Sequence, residues 1–208
     1  MKEIEKINLK VFFSNMSGRS IREKVLEKGR FIAKGSEAKV YYYQNHAWKL
    51  FKPRFVKSRF HQNVKFLTSY SNTNVVPRFA CVACAEYGII RMKYLDEKTF
   101  VTLRKVLEVN GLSMEKRKNI LQLIWNARCK LPSSIQFCDF KNPANIMIQF
   151  SEEHPIGAVF VEGGKEVNCP NALYLFLEML GELLNVSKTD LFKNLQSSSM
   201  QPLKKIKL

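Results

Sequence analysis

Several features that would place this protein in a special class are scarce or absent from its sequence. With only 9 Gly and 7 Pro among 208 residues, collagen-like and low-complexity proteins are excluded. No run of about 18 or more uncharged apolar residues occurs, so the sequence predicts no transmembrane helix. Residues 1–13 mix acids and bases, which does not indicate a conventional secretory signal peptide.

The cysteines are few and odd in number, which argues against a disulfide scaffold. The chain has 5 cysteines, and this usage is typical of free thiols in a reducing compartment. Cys81 and Cys84 form a CxxC pair, but no second pair or histidine cluster accompanies them. Cysteines buried in a strand are therefore the favoured interpretation over a zinc or redox site.

Acidic residues are missing from a long central stretch. None occurs from Ala38 to Ala85, and the whole chain carries 34 Lys+Arg against 18 Asp+Glu, a net charge of +16. Such a stretch would attract nucleotide phosphates, nucleic acid, an acidic membrane surface or an acidic protein partner. A solvated basic face without a dedicated ligand is the alternative.

Hydrophobic residues are plentiful enough for a folded core. They make up 46% of the chain and include 15 Phe and 7 Tyr, so disorder of the whole chain is excluded. A length of 208 residues fits one domain or a small two-lobed unit.

The pattern of apolar residues predicts a sheet-rich first half. Residues 31–51 are expected to form three strands, with a glycine loop at Gly35 and a turn over residues 44–47. A basic amphipathic helix is predicted over 54–70, and two further strands within 75–95.

The second half is predicted to be mostly helical. Helices are expected over 100–109, 114–131 and 172–186, with a hairpin over 145–164. This order favours an α+β protein. We divide it into a flexible or secretion-related leader (1–28), an N-lobe (29–95), a minimal C-lobe (96–190) and a basic tail (191–208).

The loop at Gly35 and the lysine at position 49 are the first candidate site. A glycine at a tight turn lets backbone amides approach phosphate, although an ordinary hairpin turn is equally compatible. Lys49 lies between Trp48 and Leu50 in an apolar strand, where it needs an anionic partner or access to solvent. An outward-facing Lys49 remains open.

A second candidate site lies between the long helix and the hairpin. Asp139 and Asn145 are six residues apart on a predicted loop that also holds Lys141. A carboxylate there could orient a hydroxyl, an amide oxygen could bind Mg²⁺, and the lysine could stabilise a transferred phosphoryl group. Simple capping of turns by Asp139 and Asn145 is the alternative.

Taken together, these motifs resemble the protein-kinase-like fold over most of residues 29–186. The segment from Phe31 to Val40 resembles the glycine-rich loop, with Ala33 and Ala38 at two of the glycine slots. Ala47-Trp48-Lys49 resembles the Ala-x-Lys motif of the third strand. The fold class we expect is thus a two-lobed kinase-like α+β fold with a truncated C-lobe and no full activation segment.

The resemblance implies a role for each matched residue. Residues of the first lobe would bind ATP: Gly35, Ser36, Val40, Lys49, Met92 as gatekeeper and Tyr94 in the hinge. Asp139 and Lys141 would be catalytic. Asn145 and Glu162 would bind Mg²⁺ or Mn²⁺, with Glu162 in place of the aspartate of the Asp-Phe-Gly motif.

The sequence departs from the family at several of these positions. Phe137 and Cys138 replace the His and Arg before the catalytic aspartate. The acid that normally pairs with the strand lysine has no evident counterpart between Lys49 and Arg91 except Glu86, and Gln62 is the nearest polar candidate on the basic helix. Only residues 165–171 separate Gly164 from the next helix, too few for a full activation segment.

With these departures, the chain resembles small bacterial effector kinases that are delivered into host cells by type III secretion. The resemblance implies phosphorylation of Ser or Thr in a host protein, such as a chaperone or signalling protein, and a cytosolic location that includes the host cytoplasm. A pseudokinase that acts as a binding module and a small atypical kinase linked to tRNA or ribosomes are the alternatives. Nucleic acid or an acidic protein could bind the basic face.

Overall fold

The computed structural model describes most of the chain. The described residues are 17–77, 79–109, 111–132, 135–136, 142–161, 165–166, 172–187 and 189–190. They belong to two compact units. The first comprises Met1–Asn72 and Pro77–Leu95, and the second comprises Thr73–Val76 and Asp96–Leu208. No helix among these described ranges is long and apolar enough to cross a membrane.

The first unit is built on a five-stranded antiparallel sheet. Its helices are α1 (Gly18–Lys28), α2 (Pro53–Phe55) and α3 (His61–Tyr70), and a π-helical turn, Val56–Phe60, joins α2 to α3. Its strands are β1 (Arg30–Lys34), β2 (Ala38–Tyr43), β3 (His46–Phe51), β4 (Phe79–Cys84) and β5 (Ile89–Lys93). Their order across the sheet is β1-β2-β3-β5-β4.

Helix α1 covers one face of this sheet. The hydroxyl of Ser17 caps its first turn by accepting from the amide of Ser20 over 3.2 Å. Ile21 and Val25, one turn apart, are buried against the sheet. Their contacts form a core with four sheet residues: Tyr41, Trp48, Leu50 and Ile89. Of the leader predicted over 1–28, residues 18–28 are therefore a helix packed on the sheet.

The end of α1 explains the glycine at position 29. The amide of Gly29 donates to the carbonyl of Val25 over 3.0 Å, which closes the last turn. A Cβ at Gly29 would lie 2.4 Å from that carbonyl oxygen, so a side chain cannot be placed there without moving the backbone.

The hairpin between β2 and β3 is tighter than the sequence predicts. Gln44 and Asn45 both have positive φ angles, 49° and 59°, which closes the hairpin in two residues. The expected turn over 44–47 is thus wrong at its second half, because His46 and Ala47 already pair with Tyr43 and Tyr42.

The described residues of the second unit include helices and two small sheets. The helices are α4 (Leu103–Glu108), α5 (Met114–Cys129) and α6 (Ala172–Leu184), and a 3-10 turn covers Pro143–Asn145. The strands are β6 (Phe100–Thr102), β7 (Ile135–Gln136), β8 (Ile146–Ser151), β9 (His154–Phe160) and β10 (Lys165–Glu166). The sheets have the orders β6-β8-β9 and β10-β7.

The expected helix over 100–109 begins later than its sequence suggests. Phe100, Val101 and Thr102 pair with β8 as a strand, and the hydroxyl of Thr102 then caps α4 by accepting from the amide of Lys105. The long-range pairing with β8 overrides the local helical pattern in these three residues.

A fully buried arginine lies near the end of α5. Arg128 is 0% exposed, and its guanidinium donates to the carbonyls of Leu131 (3.2 Å) and Pro132 (3.0 Å). Burial lowers the pKa of Arg128 from its ordinary value to about 10. The same burial raises the pKa of the neighbouring Cys129 thiol above its usual 9.0, an effect that the positive charge of Arg128 partly opposes.

Candidate functional site

Lys49 lies in the middle of the sheet of the first unit. It is on β3, directly opposite Val40 on β2 and Ile90 on β5. Trp48 and Leu50 face the core under α1, so the alternation of the strand directs Lys49 to the opposite face. Lys49 is nevertheless only 6% exposed, which excludes the solvent-facing alternative.

The ammonium group of Lys49 is held by a buried amide. Its Nζ donates to Oδ1 of Asn63 on α3 over 2.9 Å, and Asn63 is 4% exposed. The other end of the amide, Nδ2, donates to the carbonyl of Arg59 over 3.2 Å, which fixes the oxygen toward the lysine. The Nζ of Lys49 also lies 5.1 Å from the centroid of the Phe51 ring.

Sequence reasoning selected Gln62, the residue next to the one that contacts Lys49. Asn63 has the signal that would have identified it: it follows Phe60 by three residues and precedes Leu67 by four, and both are buried. Asn63 therefore belongs to the inward-facing stripe of α3. Gln62 instead accepts a hydrogen bond of 3.3 Å from Nη1 of Arg59.

The loop at Gly35 is anchored to the end of β3. The ammonium of Lys52 donates to the carbonyls of Gly35 (3.3 Å) and Ser36 (2.5 Å), and the amide of Lys52 donates to the carbonyl of Glu37 (2.9 Å). The amide of Gly35 donates to the carbonyl of Ala38 (2.9 Å), so it is engaged within the loop itself.

The loop's own packing does not require a glycine at position 35. A Cβ there would meet only the carbonyl oxygen of Ala38, at an ordinary contact distance of 3.7 Å. The absence of a side chain at Gly35 instead leaves the outer surface of the loop open to an approaching group.

An ion pair that no local sequence pattern predicts joins this loop to the π-helical turn Val56–Phe60. Nε of Arg59 lies 3.0 Å from Oε1 of Glu37, whose side chain is 13% exposed. Glu37 is the last acid before the acid-free stretch, and Arg59 lies within that stretch. The two residues are too far apart in sequence for a local pattern to reveal the contact.

Two further predicted ATP-binding residues lie on or next to β5. Met92 is buried (5% exposed) and lies opposite Ala47 on β3. Tyr94 follows the strand, and its ring packs on Tyr42 with centroids 4.6 Å apart. The hydroxyl of Tyr94 accepts a hydrogen bond from Nη2 of Arg30 over 2.9 Å.

In the second unit, Asn145 ends the 3-10 turn that precedes β8. Oδ1 of Asn142 caps this turn by accepting from the amide of Ala144 (3.2 Å), and it also accepts from Nη2 of Arg104 (3.0 Å). The carbonyl of Asn145 accepts from the amide of Val161 over 3.0 Å. Asn145 is therefore tied to the end of β9, one residue before position 162.

The remaining predicted site residues, Asp139, Lys141 and Glu162, lie outside the described residues. Across the part of the chain that the structure covers, no group of three or more His, Cys, Asp or Glu side chains is placed to hold a metal ion. The predicted roles of these three residues stay predictions.

Comparison with solved structures identifies the fold. The crystal structure of Rad53 1-466 in complex with AMP-PNP matches with a TM-score of 0.53 and 14% sequence identity, over 88% of this chain and 57% of that one. The chain has a kinase-like fold. It spans little more than half of the Rad53 chain that it matches.

A further similar structure is that of choline kinase LicA from Streptococcus pneumoniae. It matches with a TM-score of 0.49 and 11% identity, over 88% of this chain and 80% of that one. No family model and no curated protein matches the sequence.

Proposed function

We propose that this protein binds ATP and transfers its γ-phosphoryl group to a hydroxyl group. The observation that carries the proposal is the placement of Lys49. Its ammonium is buried on the sheet face opposite α1 and held by Asn63 at 2.9 Å. A fixed, desolvated ammonium attracts phosphate more strongly than an exposed one, because less water competes for it.

Each predicted residue has a defined part in the proposed reaction. Lys49 binds the α- and β-phosphates, and the open loop at Gly35 and Ser36 covers them. Asp139 accepts the proton of the acceptor hydroxyl as its oxygen bonds to the γ-phosphorus and the bond to the β-phosphate oxygen breaks. Lys141 stabilises the charge on the transferred group.

Asn145 and Glu162 are the residues that would hold a divalent cation. Asn145 and Glu162 would supply an amide oxygen and a carboxylate, which are the hard oxygen ligands that Mg²⁺ and Mn²⁺ prefer. The hydrogen bond from Val161 to Asn145 supports this assignment, because it brings the backbone at position 145 next to the residue that precedes Glu162. The cation would neutralise charge on the phosphates.

One comparison with a solved structure supports nucleotide binding. The matching Rad53 chain was crystallised with AMP-PNP, which supports an adenine nucleotide as the ligand here. We further propose that the acceptor is Ser or Thr of a host protein and that the chain acts as a type III effector. The support for this finer part is the sequence resemblance to small effector kinases.

The test is phosphate transfer from γ-labelled ATP to proteins of a host-cell lysate, with Mg²⁺ or Mn²⁺. We expect Lys49→Ala and Asp139→Asn to lower labelling by about a hundredfold or more. Lys39→Ala is the matched control, since Lys39 is an exposed lysine on the neighbouring strand. Equal labelling by the wild type, Lys49→Ala and Asp139→Asn would refute the proposal.

A pseudokinase is the second candidate, and the sequence after Lys49 favours it. Kinases pair this lysine with a glutamate from the following helix, whereas Glu86 is the only acid in the sequence between Lys49 and Arg91. A pseudokinase would show a nucleotide-dependent rise in melting temperature without transfer of label. The wild type would then match Asp139→Asn in the labelling assay.

A further inference from the structure

The ion pair between Glu37 and Arg59 places a carboxylate in the loop that the proposed function assigns to phosphate binding. Nε of Arg59 and Oε1 of Glu37 are 3.0 Å apart, and their side chains are 38% and 13% exposed. A carboxylate in that position repels the phosphates of a nucleotide. A guanidinium at hydrogen-bond distance offsets the repulsion.

Arg59 also reaches the lysine of the site through its backbone. Its carbonyl accepts the amide hydrogen of Asn63, and Asn63 in turn accepts from the ammonium of Lys49. One continuous chain of polar contacts thus runs from the loop, through the π-helical turn and α3, to β3. Its members are Glu37, Arg59, Asn63 and Lys49. The loop and the lysine, which are expected to contact the same phosphates, are connected through Arg59.

We infer that Arg59 is a positioning residue that neutralises the loop carboxylate of Glu37 and so sets the affinity of the site for phosphate. This inference rests on the proposed function, since it concerns the same nucleotide site. It differs from a purely structural role in one respect: the loss of Arg59 should weaken ligands with phosphate and spare ligands without it. It also predicts that removing the carboxylate compensates for removing the guanidinium.

Arg54 provides a matched control in α2, directly before the π-helical turn that contains Arg59. It is also an arginine, it is exposed, and its guanidinium lies 4.7 Å from the centroid of the Phe55 ring. Arg54→Gln removes the same unit of charge as Arg59→Gln. The comparison therefore separates the local contact with Glu37 from the general attraction of a basic protein for ATP.

The experiment is calorimetric titration of the full chain with ATP and Mg²⁺, and separately with adenosine as the phosphate-free probe. Six proteins are compared: wild type, Arg59→Gln, Arg59→Lys, Arg54→Gln, Glu37→Gln and the double variant Glu37→Gln/Arg59→Gln. Circular dichroism of each protein confirms that it is folded. Arg59→Lys, which keeps the positive charge, serves as the conservative variant.

We expect Arg59→Gln to weaken ATP about two- to fivefold, the range typical of a partly exposed ion pair, and to leave adenosine unchanged. The double variant and Arg59→Lys should return ATP affinity to within about twofold of the wild type, and Glu37→Gln alone should not weaken it. Equal weakening by Arg54→Gln and Arg59→Gln, or no recovery in the double variant, would overturn the inference. A wild type that binds no ATP would overturn the proposed function, and this inference with it.

Discussion

The ammonium of Lys49 donates a hydrogen bond of 2.9 Å to the amide oxygen of Asn63, and both side chains are buried. Asn63 lies on α3, and its amide oxygen is fixed toward the lysine because its Nδ2 donates to the carbonyl of Arg59 over 3.2 Å. The hydrogen bond therefore holds the ammonium at a defined position on the sheet face opposite α1.

Replacing Asn63 by leucine should damage both the fold and the site. The variant removes the oxygen that Lys49 contacts, and hydrogen bonds to charged groups contribute about 1.5–3 kcal/mol. We expect chemical denaturation to show a loss of about 2 kcal/mol in the free energy of unfolding and a marked loss of ATP affinity. Gln62→Leu is the control at the adjacent, less buried position. It should change neither the free energy of unfolding nor the ATP affinity by much. Equal effects of the two variants would contradict the role given to Asn63.

Substitution by alanine should affect stability at Gly29 but not at Gly35, although both glycines precede a strand. A Cβ at Gly35 meets only an oxygen at 3.7 Å, whereas a Cβ at Gly29 lies 2.4 Å from the carbonyl of Val25. We therefore expect Gly35→Ala to keep the wild-type melting temperature but to bind ATP less tightly. Gly29→Ala should lower the melting temperature by several degrees. A Gly35→Ala protein with unchanged ATP affinity would argue against phosphate contact by this loop.

The place of Lys49 on a strand could be predicted from the sequence, but its burial could not. Trp48 and Leu50 flank it, and alternation sends the residue between two large apolar residues to the other face, which left an outward-facing lysine open. Burial on that face depends on a contact with Asn63 of α3, 14 residues further along the chain. The kinase-like fold could be predicted because its strand and loop motifs are local in sequence.

The partner of Lys49 is decided by the helical period rather than by strand alternation. The sequence analysis chose Gln62 as the nearest polar residue on the basic helix. The spacing of Asn63 from Phe60 and Leu67 instead places Asn63 on the inward face of α3. By contrast, the strand at Phe100–Thr102 and the pair of Glu37 with Arg59 depend on partners far away in sequence.

Helix α1 should contribute substantially to the stability of the first unit. Ile21 is 3% exposed in the core beneath the helix, so Ile21→Ala should lower the free energy of unfolding by about 2–4 kcal/mol. Leu26 lies on the same helix but is 45% exposed, and Leu26→Ala should change stability by no more than about 0.5 kcal/mol. Urea denaturation measures both. Similar losses for the two variants would mean that α1 does not pack on the sheet as described.

Cys129 should react slowly with alkylating reagents at neutral pH. Burial raises its pKa above 9.0, and only the thiolate is nucleophilic. Alkylation of this residue by iodoacetamide, followed by peptide mass spectrometry across a pH series, should show a higher midpoint in the folded chain than in the unfolded chain. The same residue in urea-unfolded protein, with its usual pKa, is the control. As the pH rises, the thiol ionises first in the unfolded chain. The contribution of Cys129 to the free energy of unfolding is therefore fully present below the pKa of the unfolded chain, and it is lost as the pH rises through the pKa of the folded chain. A folded midpoint at or below the unfolded one would show that Arg128, rather than burial, determines the ionisation of this thiol.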